Sequence, residues 1–174
     1  MSISAYFAVI GRNRKINAIF APKNGELMEL TDLLKQQIIN RMNIDNPWWT
    51  SGMIDNDYKE MPRRLYIDLF YPIVKDVELK RSVILMGPRR VGKTVLLYHT
   101  IQQLIDEGIN SKCIIYVSVE TPIYSRISLE DLFSLAKGAV GKADSKEIFY
   151  IFFDEIQYLK DWEIHLKSLV DTYR

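Results

Sequence analysis

The chain has 174 residues, 48% of them hydrophobic and 26% charged, and a formal net charge of +1. This length and apolar content suit one domain, or one domain with an appendage, that buries a real core. The near-zero charge gives no field that recruits nucleic acid, and no apolar run approaches the roughly 20 residues of a membrane helix.

In chain order, Ala5 to Ile10 and Lys15 to Ala21 alternate apolar residues around Gly11-Arg12-Asn13-Arg14, a pattern that predicts a short hairpin. The opening residues lack the basic start and cleavage site of a signal peptide. Leu30, Leu33, Leu34, Ile38 and Met42 then fall at helical spacing and predict a helix over Leu27 to Met42, with Thr31 or Asp32 as its cap. Asp45 to Gly52 (DNPWWTSG) breaks that pattern and marks a boundary. A helix over Arg63 to Val74 is expected, interrupted by Pro72.

From Arg81 onward the texture changes to strands alternating with helices. Ser82 to Met86 reads as a buried strand, Thr94 to Glu107 as a helix stopped by Gly108, and Cys113 to Val119 as a second strand. Ser128 and Asp131 form a capping box for the next helix. Ile148 to Phe153 is a third strand, and Asp161 to Tyr173 a final helix. The expected fold is α/β: a P-loop core over 45–174 with a partial parallel sheet flanked by helices, and a small N-terminal α+β appendage over 1–44.

The chemistry is concentrated in two stretches. Gly87-Pro88-Arg89-Arg90-Val91-Gly92-Lys93-Thr94 matches the phosphate-cradling loop at every position and sits between a predicted strand and a predicted helix. Its glycines let backbone amides point inward, and the helix N-terminus adds partial positive charge at the same spot. Lys93 would bridge the β- and γ-phosphates, Thr94 would offer its hydroxyl to Mg²⁺, and Val95 follows in the same turn. Arg89 and Arg90 either touch phosphates, touch a neighbouring subunit or face solvent. The second stretch, Ile148 to Glu155, brings an apolar strand through the core and delivers two carboxylates at the end where ligands of open α/β sheets gather. Asp154 is placed to hold Mg²⁺ through its water shell, and Glu155 to act as general base on an attacking water. A kinase-like site has no glutamate there, so Asp154-Glu155 argues for hydrolysis.

These two motifs, with Ile156, Gln157 and Trp162 after them and Asn46-Pro47-Trp48-Trp49 before, resemble a family of prokaryotic AAA-type ATPases over about residues 45 to 174. The resemblance implies ATP and Mg²⁺ as ligands and hydrolysis by Lys93, Thr94, Asp154 and Glu155. In such ATPases a sensor strand, an arginine acting on a neighbour and a helical lid come later, and this chain stops at Arg174 before them. The resemblance also implies that the sensor strand lies between the Ser82–Met86 and Ile148–Phe153 strands. That strand is therefore expected from beyond Arg174, with the chain a fragment, a short product or completed by a partner.

The expected function is an ATPase that moves a protein partner. The alternative is a nucleotide-dependent interaction module that binds ATP, self-associates or recruits a partner, and turns over negligibly. A small-molecule phosphotransferase is a third reading, for which no acceptor pocket is visible. Trp48 and Trp49 either pack the arm on the core or stack on a base. Glu120 either helps position water or metal or is a solvated strand end. A single cysteine, Cys113 in a buried strand, fits a cytoplasmic protein, and His99 and His165 leave too few ligands for zinc.

Overall fold

A computed structural model describes residues 4–12, 31–78, 82–125, 127–141 and 147–172, with the backbone alone for 4–12. The apolar run of β4 (Ile148–Asp154) is buried from Phe149 onward, and it pairs in parallel with β3 (Ile114–Ser118). The segment between them contains α6 (Leu129–Val140), so β3, α6 and β4 form a crossover unit. Ser128 caps α6 as expected: its hydroxyl accepts from the Asp131 amide at 3.1 Å.

β2 (Ser82–Gly87) does not touch β4 directly. Between them lies β1 (Ser4–Arg12), antiparallel to both, and the sheet order is β2-β1-β4-β3. β2, β3 and β4 thus run in one direction, as a parallel sheet requires, and β1 runs against them. The place expected for the sensor strand, between β2 and β4, is held instead by β1, a segment from the start of the chain that runs antiparallel to both neighbours. The reason is a matter of backbone accounting. β4 is buried, and an unpaired edge there would strand its amides and carbonyls. The alternating stretch from Ala5 to Ile10 supplies the partner, with Phe7 opposite Ile84 on one side and Phe153 on the other. Both edges of β1 are therefore taken, which is a different pairing from the expected hairpin. The hairpin's second arm, Lys15 to Ala21, lies outside the described residues.

The helices follow from the apolar spacing. α1 (Asp32–Asp45) is capped by Thr31, whose hydroxyl accepts from the Leu34 amide at 3.3 Å. It buries Ile38 and Met42 and packs against α6 and β3. Two short helices follow, α2 (Trp48–Ser51) and α3 (Asn56–Lys59). α4 (Ile67–Lys75) begins later than expected and contains Pro72 without breaking. The ring forfeits the one bond that residue 72 would give the Asp68 carbonyl, and the helix continues to Lys75, with the Asp76 amide bonded to the Pro72 carbonyl. α5 (Lys93–Asp106) packs on α3 and α4, and α7 (Trp162–Thr172) packs on α6. Among the described residues no helix is long and apolar enough to cross a membrane.

The Asp45–Gly52 stretch closes the outer edge of β3. Asn46 is fully buried, and its side-chain amide pairs with Tyr116 as a neighbouring strand would. Oδ1 accepts from the Tyr116 amide at 2.6 Å, and Nδ2 donates to the Tyr116 carbonyl at 2.9 Å. Both Trp48 and Trp49 are buried and donate their indole N–H to the Ile114 carbonyl, at 2.9 and 2.8 Å. Of the two readings for these tryptophans, packing on the core is the observed one.

Candidate functional site

β2 ends at Gly87, and the chain turns through Pro88 to Val91 into α5. The turn needs two left-handed residues, Arg90 at φ 64° and Gly92 at φ 88°. The second is a glycine at the N-cap, so no side chain caps the first amides of α5. Lys93, the first residue of the helix, is buried. Its ammonium folds back on the loop, donating to the carbonyls of Gly87 at 3.1 Å and Pro88 at 2.5 Å.

β4 delivers its carboxylates beside this turn. The Thr94 hydroxyl donates to Asp154 Oδ2 at 3.1 Å, which joins the cradle to the carboxylate strand. The Tyr116 hydroxyl, from β3, donates to the same oxygen at 2.9 Å. Burial first, and then the adjacent Asp154 charge, push the Tyr116 phenol far above its ordinary value, so it remains a donor. Tyr98 packs against Tyr116 with ring centres 5.1 Å apart, and Tyr58 stacks on Tyr98 at 3.9 Å. The aromatic chain thus runs from the α3 region to the buried carboxylate.

Glu155 follows in a left-handed conformation, φ 53°, and its carboxylate accepts from the Gln157 side-chain amide. Such a backbone is uncommon outside glycine and is held here by the turn Ile156–Tyr158. Glu155 lines a cavity of about 510 Å³ together with Lys93 and Thr94. Arg64, Arg89 and Arg90 lie on the same wall system, so four cationic side chains face two carboxylates, Glu155 and Glu120. A pocket of that balance suits a polyanion.

A family model described as an AAA domain matches residues 79–174, which is more than half of the chain. The chain belongs to the AAA domain family. AAA domains are nucleotide-binding P-loop modules, generally ATPases, and the turn-and-carboxylate arrangement just described lies within the matched residues. An uncharacterized protein from Methanocaldococcus jannaschii is 30% identical over 104 residues. That match covers 58% of this chain but 22% of the relative, so the chain spans about a fifth of its relative's length. No solved structure matches.

Of the residues expected from sequence, Arg89, Arg90, Gly92, Lys93, Thr94, Val95 and Glu155 line one cavity. Gly87 and Pro88 take part through carbonyls that Lys93 engages, whereas Val91 is exposed on the outside of the turn. Asp154 is buried behind Thr94. Glu120 is exposed and also lines the cavity. Arg64, Tyr116 and Tyr158 carried no local signal in sequence. Tyr158 accepts from Arg89 at 3.3 Å.

The residues fit Mg²⁺ as well as phosphate. Among the described residues there is no cluster of three or more acidic, histidine or cysteine side chains. Mg²⁺ needs none, because it keeps several waters and binds through one or two protein oxygens plus phosphate. Thr94 and Asp154 supply hard oxygen donors of that kind.

Proposed function

We propose that this chain binds ATP with Mg²⁺ in the cavity beside Lys93 and hydrolyses it, and that turnover drives a conformational change on a protein partner. The observation that carries this reading is the bond between Thr94 and Asp154, with Lys93 and Glu155 on the same cavity. On this reading Lys93 is the phosphate ligand, Thr94 and Asp154 the metal-holding pair and Glu155 the base, all at one sheet end.

The chain's own groups act as follows. Lys93 exchanges two neutral carbonyl acceptors for anionic phosphate oxygens, which adds charge–charge attraction to the bonds its ammonium makes. Gly92 leaves the first amides of α5 for the same anion. Thr94 and Asp154 are the residues that would hold Mg²⁺, which neutralises charge developing on the phosphates. Tyr116 fixes the Asp154 carboxylate. Glu155 accepts a proton from water as the oxygen attacks phosphorus, and Gln157 must yield its bond to that carboxylate for this to occur. The leaving diphosphate keeps the electron pair of the broken P–O bond.

Isothermal calorimetry with ATP and Mg²⁺, paired with a phosphate-release assay, tests the reading. Lys93→Ala should weaken binding by at least about tenfold. Glu155→Gln should keep binding and lower turnover by about 10²- to 10⁴-fold, since an amide cannot take the proton. Equal ATP affinity in wild type and Lys93→Ala overturns the site, and wild-type turnover in Glu155→Gln overturns the base.

A further inference from the structure

Arg64 precedes α4 and is remote in sequence from both motifs, yet its guanidinium reaches the cradle. A Cβ placed on Gly92 would lie 2.3 Å from Arg64 Nε, 2.6 Å from Cζ and 2.7 Å from an Nη. The guanidinium therefore rests directly on the glycine that opens α5. Gly92 is needed there twice, for its positive φ and for this space. Among the described residues the buried Nε of Arg64 has no hydrogen-bond partner, and Arg64 makes no ion pair.

Its neighbour shows the contrast. Arg63 donates to Gln103 at 2.9 Å and lies 3.6 Å from Asp68, so it is satisfied on the outer surface. Arg64 is instead turned into a cavity already lined by Arg89, Arg90 and Lys93. Bringing a fourth cation there, with a buried donor unmade, opposes folding on its own. An anion resting in the cradle removes both costs at once.

We propose that Arg64 is a nucleotide-contacting residue whose guanidinium donates to the phosphate chain, clamping the segment ahead of α4 onto the cradle. The proposal rests on the nucleotide reading above. A guanidinium suits this task because its planar fork presents parallel donors to phosphate oxygens.

The test measures ATP and ADP affinity by calorimetry for wild type, Arg64→Ala, Arg64→Met, Gly92→Ala and Lys93→Ala, all in the full chain. Arg64→Met keeps an unbranched stem on Gly92 and removes only the donors and charge. The expected result is a loss of about tenfold to a hundredfold for both nucleotides in Arg64→Ala and Arg64→Met alike. Their unfolding midpoints without nucleotide should be no lower than wild type. Gly92→Ala, which evicts the guanidinium, should lose at least as much. Wild-type affinity in Arg64→Met means the side chain only packs, and tighter binding in Arg64→Ala means it obstructs the cavity; either overturns the proposal. If Lys93→Ala collapses binding while the Arg64 variants match wild type, the nucleotide site stands and the Arg64 clamp falls. If Lys93→Ala also binds as wild type does, the site reading fails and the clamp with it.

Discussion

Replacing Asn46 by leucine should cost this fold more than most single substitutions, and the cost can be worked from its three side-chain bonds. Leucine matches asparagine closely in volume, so neither a large cavity nor a severe clash enters. The amide's bond to the Met42 carbonyl (2.7 Å) is expendable, because the Asn46 backbone amide also donates there at 3.0 Å. The two bonds to Tyr116 are not. Its amide and carbonyl lie on the outer edge of β3, buried under α1, and leucine leaves both without partners. A buried orphan costs about 1–3 kcal/mol, so the pair should cost about 2–6 kcal/mol. Domains have only about 5–15 kcal/mol in total. Urea unfolding followed by tryptophan fluorescence and far-ultraviolet circular dichroism reads the loss directly. Asn46→Asp is the sharper control, measured at pH 8. Its Oδ1 can still accept from Tyr116, but its second oxygen faces the carbonyls of Met42 and Tyr116 as a buried charge. It should be at least as destabilised as the leucine variant. A leucine variant within about 0.5 kcal/mol of wild type, or a tolerated aspartate, would show that the edge of β3 is sealed by something other than this amide.

Two further outcomes follow from buried polar groups near the sheet. Tyr116→Phe removes the donor that orients Asp154, and should raise the Mg²⁺ concentration for half-maximal ATP binding by about tenfold while Mg²⁺-free binding stays the same; an unchanged Mg²⁺ titration refutes the positioning role. Cys113 is buried, and burial first, then Glu147, push its thiol up to about 12. At pH 8 about one molecule in ten thousand carries the thiolate, so iodoacetamide should label the native chain negligibly and the urea-unfolded chain fully; fast native labelling contradicts the burial.

The α/β class and the motifs of the candidate site stood out in the sequence more sharply than the neighbours of each strand did. Gly87 to Thr94 and Asp154-Glu155 declare themselves because each is contiguous, and because a phosphate cradle and a carboxylate strand end need fixed residue types at fixed spacing. Ser128 and Thr31 were readable as caps for the same reason, since a cap acts within three residues of itself. β1 was visible as a strand, but its neighbours were not. Alternating apolar residues look alike in a hairpin arm and in a strand inserted between two others, and only the rest of the sheet distinguishes them. Asn46 and Arg64 had no local signature at all. One satisfies backbone groups of a strand 70 residues on, and the other reaches Gly92 across one helix, a strand and a turn. Such contacts depend on where the chain returns, which periodicity does not encode.

The position of β1 also sets a timetable for synthesis. β1 leaves the ribosome before any other described strand, yet it sits between β2 and β4, and β4 is made last of the four. A β1–β2 ribbon alone is at best marginally stable in water, so the earliest segment has no durable place until the latest strand arrives. Folding of the sheet is therefore held back until Asp154 has been translated. The aromatic strand and the carboxylates that end it complete the core and the candidate catalytic edge in one late event, and a nascent chain stopped before residue 148 should hold neither.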